Sequence, residues 1–116
     1  MAEFRGRELL YNAAVHFEAE RKFEGNIMEI VKDFTDLCWI LGEMSRQHEA
    51  WAKQNGFEAK EPLRSSDLFV NMKPKEIPDA TRAAVKAIME GLEIDVEEPK
   101  ERDLVLEELQ KKTGNE

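Results

Sequence analysis

One cysteine, Cys38, occurs in 116 residues, so no disulfide can close within the chain. A lone thiol suits a reducing compartment. No run of about eighteen apolar residues is present, which argues against a helical membrane span. The opening, MAEFRGREL, has no apolar core of the kind an export signal carries, and the expected location is the cytoplasm. Positive charge is also short: 17 Lys and Arg stand against 25 Asp and Glu, a formal net charge of −8. Phosphate-backbone binding needs the opposite sign, so nucleic acid is not an expected partner. Glycine-rich phosphate loops, nucleophile elbows and internal repeats are all missing.

The apolar fraction of 41% and the charged fraction of 36% fit one small helical domain with heavily solvated outer faces. The negative charge is uneven. Glu93, Asp95, Glu97, Glu98, Glu101, Asp103, Glu107 and Glu108 face only Lys100 and Arg102 in the same stretch, a local net of −6. Such a segment keeps a protein soluble or engages a basic protein surface.

The stretch from Asp33 to Gln54 organises the rest. Phe34, Leu37, Cys38, Leu41, Met44, Ser45, His48 and Trp51 recur at i, i+3, i+4, i+7, the period of one helical face. Asp33 can cap its first turn and Asn55-Gly56 supplies a left-handed stop. Trp39 and Ile40 lie off the stripe, so the helix is apolar over more than half its girth near its start. That marks a central helix, with Leu37, Leu41, Met44 and Trp51 expected to be buried against Phe17, Ile88 and Leu92.

Before it, Phe4 to Tyr11 reads as a short hairpin or strand, or as the start of a helix. Asn12 caps a helix over 13–24, with Leu10, Ala13, Ala14 and Phe17 at helical spacing and Gly25 as its stop. Asn26 and Glu29 make a capping-box-like start to a short apolar helix through Ile30 and Val31. Beyond Gly56, residues 57–64 read as a loop, and Ser65 or Ser66 as the cap of a short helix that must stop before Pro74. Pro78 suits the first turn of the next helix. Its stripe runs Ile77, Ala80, Thr81, Ala84, Ala87, Ile88 and Leu92, its small residues permit close approach to the central helix, and Gly91 closes it. Leu92, Ile94 and Val96 alternate with acidic residues at a strand period. The expected division is a helical body over 1–96 and an acidic tail over 97–116. The tail carries only Leu104, Val105, Leu106 and Leu109 as sizeable apolar groups and is expected to be dispensable for folding. The fold class is mainly α, one small domain around a long central helix, with the N-terminal β element left open.

Chemistry-bearing constellations are sparse. His48-Glu49 starts like the zinc-protease HExxH pattern, but position 52 is alanine. His16 and Glu20, one turn apart, lack a third metal ligand at suitable spacing. Cys38 sits on the apolar stripe and reads as a structural thiol. No catalytic, cofactor-binding or metal residue is expected.

The order of signals is nonetheless distinctive. FRGRELLYN leads into a helix, then Gly25-Asn26-Ile27-Met28-Glu29-Ile30, then DLCWILGEMSRQHEAWAKQNG, a loop, a short helix, and an alanine-rich helix ending AIMEGLE. Over roughly residues 4–92 this pattern resembles the tail assembly chaperones of long-tailed bacteriophages and their prophage relatives. The resemblance implies a small β element before a helical body and a non-enzymatic cytoplasmic protein. Such proteins bind the long, apolar, helical tape-measure protein and recruit tail-tube subunits. The acidic tail has no counterpart in that pattern. Large side chains outside the central stripe, Trp39, Ile40, Phe57, Phe69 and Met72, are the expected partner-binding residues, because aromatic and Met groups recognise helices adaptably. Self-association stays open. The alternative is a small acidic regulator or inhibitor whose Glu93–Glu108 face imitates nucleic acid for a basic protein.

Overall fold

A computed structural model describes residues 1–24 and 26–93. A two-stranded hairpin precedes a mainly helical body, settling the open reading of residues 4–11 in favour of strand. Strand β1, Glu3–Phe4, pairs antiparallel with β2, Arg7–Glu8, with Glu3 opposite Glu8 and Phe4 opposite Arg7. The two-residue turn holds Arg5 at φ +52 and Gly6 at φ +74, the left-handed pair that matches strand twist. Arg5 bears that conformation with its side chain anchored: Nη1 donates to Asn71 Oδ1 at 2.7 Å, and Nε and Nη2 donate to the two Glu76 carboxylate oxygens at 3.2 and 2.9 Å. The hairpin is thereby tied to the far end of the body. The Arg5 hydrogen bond, helped by the Lys73 backbone N–H, holds the Glu76 carboxyl below its usual range.

Helix α1 runs Ala13–Lys22, and the Asn12 side chain accepts from the Val15 N–H at 3.1 Å. Asn26 caps Ile27–Lys32, which is a 3-10 segment. Asp33 Oδ1 accepts the Asp36 N–H at the start of α2, Phe34–Gln54. Helix α3 is Ser65–Asn71 and α4 is Ile77–Gly91, with Pro78 in its first turn. The α3 cap differs from expectation. Arg64 holds the cap position without a side-chain bond, and both serines lie inside the helix. Packing explains the shift: a Cβ on Gly42 would come within 3.1 Å of the Ser65 nitrogen, so α3 begins where its backbone is pressed onto α2.

Helix α2 is touched by α1, α3, α4, the 3-10 segment and β2, which makes it the centre of the body. Leu9, Ile30, Leu37, Ile40, Leu41, Met44, Leu68 and Ile88 are fully buried. Each such side chain contributes roughly 1.5–3 kcal/mol relative to exposure. Helix α4 turns Ala80, Ala84, Ala87 and Ile88 inward as its stripe requires, together with Met89. Its last residue, Gly91, is packed so tightly that an added Cβ would collide with the Tyr11 carbonyl.

Three expected core members lie outside. Phe17 is 60% exposed, Trp51 42% and Leu92 41%. In α1 the inward pair is Val15 and Ala19, an i, i+4 pair whose small second member lets the helix close on its neighbours. Ala13, Ala14 and Phe17 consequently face solvent, with the Arg21 guanidinium 5.8 Å above the Phe17 ring. Leu92 falls in the turn after α4. The strand expected over 92–96 and the tail over 97–116 lie, past Glu93, outside the described residues. No helix among the described residues is long and apolar enough to cross a membrane.

Candidate functional site

The last three turns of α2 bury three polar groups beside one small apolar residue, Ala52. Ser45, His48 and Glu49 are buried, and each is fully partnered. Ser45 Oγ accepts the Leu63 N–H at 2.7 Å, and Glu49 Oε1 accepts the Lys60 N–H at 2.6 Å. Ser45 and Glu49 are one turn apart, so α2 presents two acceptors in a row that fix the irregular segment 57–64. That satisfies backbone donors which a loop packed on a helix would otherwise leave unpaired. Arg7 Nε donates to the Glu61 carbonyl at 2.6 Å and ties the same segment to the hairpin.

His48 stands between two carboxylates. Its Nε2 is 2.8 Å from Glu8 Oε2 and its Nδ1 is 3.1 Å from Glu49 Oε2. A carboxylate only accepts, so both contacts are hydrogen bonds when both ring nitrogens carry protons. Burial raises the Glu49 carboxyl, but the Lys60 N–H, the His48 hydrogen bond and the two neighbouring charges outweigh it and hold Glu49 below its ordinary value. The arrangement links β2, α2 and the loop through one imidazole.

Outside this buried cluster the surface becomes aromatic. The His48 ring lies 5.7 Å from Trp51, and Trp51 stacks on Phe57 at 5.5 Å with the planes 14° apart. Local geometry places Phe57 there. Gly56 at φ +80 turns the chain, the Phe57 N–H donates to Ala52 O at 2.8 Å and the Gly56 N–H to Lys53 O at 3.4 Å. This is a Schellman ending, whose apolar contact between the residue after the glycine and the last helical turns is the Trp51–Phe57 stack. The stack borders a cleft of about 320 Å³ that Met1, Glu8, His48, Glu58 and Lys60 also line.

The five expected partner-binding residues scatter. Ile40 is fully enclosed and Met72 is 8% exposed, so both belong to the core. Helix α2 is covered on several sides, and a residue off its main stripe still meets a neighbouring element. Trp39 is half-buried, 6.0 Å from Phe23, with the Lys22 ammonium 5.3 Å above its ring. Phe57 and Phe69 are exposed. Phe69 pairs with Phe34 at 5.5 Å beside the exposed Val70, forming a second aromatic patch at the opposite end of α2. Trp51, Glu8 and Glu49 were not expected at a surface site. The signal for Trp51 was present in the Asn55-Gly56 stop followed by an aromatic residue; for Glu8 none existed, because the hairpin brings it to His48 from forty positions away.

The remaining chemical candidates resolve into structure. Tyr11 Oη lies 2.6 Å from His16 Nδ1, and His16 Nε2 lies 3.2 Å from Glu20. Burial, with Glu20 adding to it, pushes the Tyr11 phenol up to about 12. Burial likewise pushes the Cys38 thiol up, against a lesser opposing pull from Arg5, which leaves it a weak nucleophile. Among the described residues no three His, Cys, Asp or Glu side chains come together as a metal site. No family model matches the chain, and neither curated proteins nor solved structures provide a match.

Proposed function

We propose that this chain is a non-enzymatic binding protein that acts as a phage or prophage tail assembly chaperone, holding tape-measure and tail-tube proteins in the host cytoplasm. The observation that carries the reading is a pair of surface aromatic patches, the exposed Phe69 and Val70 on the half-buried Phe34 at the start of α2 and Trp51–Phe57 at its end. The seventeen residues from Phe34 to Trp51 separate them by about 25 Å along one rigid helix. Two apolar contact points at that spacing, on a surface otherwise rich in charge, suit an extended helical partner better than a small ligand. The hairpin before a helical body agrees with what the resemblance implies. The acidic-mimic alternative gains nothing from the described residues, because its face lies beyond Glu93.

Co-expression with a phage tape-measure protein tests the proposal. The tape-measure protein should stay soluble and co-purify at low salt, and Phe69→Ala should weaken that effect while the variant keeps its helical circular dichroism. Failure to co-purify, joined with inhibition of a nuclease or release of a repressor from DNA, would reverse the choice between the two readings.

A further inference from the structure

Among the described residues, three of the seven exposed or half-exposed aromatics, Phe17, Phe23 and Trp39, carry a cation supplied by the chain itself, as does the buried Phe4. Arg5 sits over Phe4 at 5.6 Å, Arg21 over Phe17 at 5.8 Å, and Lys22 over both Phe23 and Trp39 at 5.8 and 5.3 Å. The attraction of a cation for an aromatic face accounts for this arrangement. The Trp51–Phe57 stack carries none among the described residues, as is also true of the Phe34–Phe69 pair, and what sets the stack apart is the set of carboxylates around it. Among the described residues no cation of this chain lies over either ring, although Trp51 is 42% and Phe57 61% exposed. Its neighbours in the cleft are instead carboxylates: Glu8, Glu49 and Glu58 against Lys60, with His48 held between the first two. Glu58 is exposed and makes no hydrogen bond to the described residues, and half the Glu8 side chain is open to solvent. An uncovered π-face bordered by acceptors is complementary to a planar, multiply donating cation, which can stack and hydrogen-bond at once.

We propose that this cleft receives a basic side chain, above all arginine, from a protein partner, with the guanidinium lying on the Trp51–Phe57 face and hydrogen-bonded by Glu58 and the outer oxygen of Glu8. The inference rests on the reading of this chain as a protein-binding module and specifies what one of its two patches recognises. A lysine fits the same charge but stacks less well. The apolar rim formed by Met1 accommodates a leucine or similar residue beside the cation.

The test uses the full chain, labelled with 15N, and two blocked peptides that differ at one position: arginine between leucines, or neutral citrulline in its place. The arginine peptide should shift the Trp51 indole N–H signal and the Glu58 amide, leave the Trp39 indole in place, and bind about three-fold or more tighter than the citrulline peptide. Raising the salt should narrow that gap. Glu58→Gln, an exposed change that leaves the His48 cluster alone, should bring the two peptides closer together. Equal affinity of the two peptides would overturn the proposal and reduce the patch to an apolar shelf. Shifts centred on Trp39, or none at Trp51, would overturn it as well. Because the peptides contain no tape-measure sequence, failure here leaves the co-purification result of the preceding proposal standing or falling by itself.

Discussion

The two halves of α2 obey one sequence period and meet different fates. From Leu37 to Met44 the helix is enclosed, and even Ile40, which points away from the main stripe, is fully buried. From Ser45 to Gln54 the same stripe delivers a serine and a histidine to buried positions and leaves Trp51 at the surface. Periodicity states the direction in which a side chain points. It does not state whether another element waits there. The first half packs against α3 at Gly42 and against Phe23 at Trp39; in the second, an irregular loop and a hairpin supply backbone donors and a carboxylate. A loop demands acceptors, so the second half buries polar groups.

The largest expected effect breaks the first half. Leu41→Ala should lower unfolding free energy by about 2–5 kcal/mol in a urea melt, the range for truncating an enclosed leucine. A loss below half a kilocalorie would mean that this half is not core. Next comes the contact where α4 ends. Gly91→Ala places a Cβ into the Tyr11 carbonyl, and the backbone must move. Overpacking costs about 1–3 kcal/mol, against which the better helix propensity of alanine returns up to about 1 kcal/mol. A net stabilisation would show that the Tyr11 segment yields freely.

A smaller effect sharpens the second half. The folded state holds the Glu49 carboxyl below its ordinary value of 4.5, so the ionised group stabilises the fold above that pH. This contribution is lost as pH falls through the lower, folded-state value. The wild type should therefore lose stability between pH 4.5 and more acid conditions faster than Glu49→Gln does, measured as the difference between two urea series. Glu76, held low by Arg5, titrates in both proteins and cancels from that difference. Parallel curves would mean that the Lys60 and His48 contacts do not favour the carboxylate.

Much of this architecture was legible in local chemistry. Asn12, Asn26 and Asp33 cap where a short polar side chain precedes an apolar run, and Asn55-Gly56 ends α2. Such signals act over four residues and need no knowledge of the fold. The phase of α1 was not legible, because Phe17 outweighs Ala19 in any apolar count while close packing selects the smaller residue. The α3 cap was obscured for a related reason: Gly42, on another helix, decides where its backbone rests. Least accessible was the candidate site. Trp51 looks like core and Glu8 like an exposed strand residue until the hairpin and the Schellman turn bring them to one cleft with Phe57, the member already expected at a partner surface.

The contrast between the halves is tested most directly by Trp51→Ala, melted in urea beside Leu41→Ala. Trp51 contributes a stack with Phe57 and a contact with His48 at the surface. The expected loss combines about 0.5–1.5 kcal/mol for the aromatic pair with the burial of a ring that is 42% exposed, and it should stay below that of the Leu41 variant. A loss as large as that of the Leu41 variant or larger would contradict this contrast and return Trp51 to the interior.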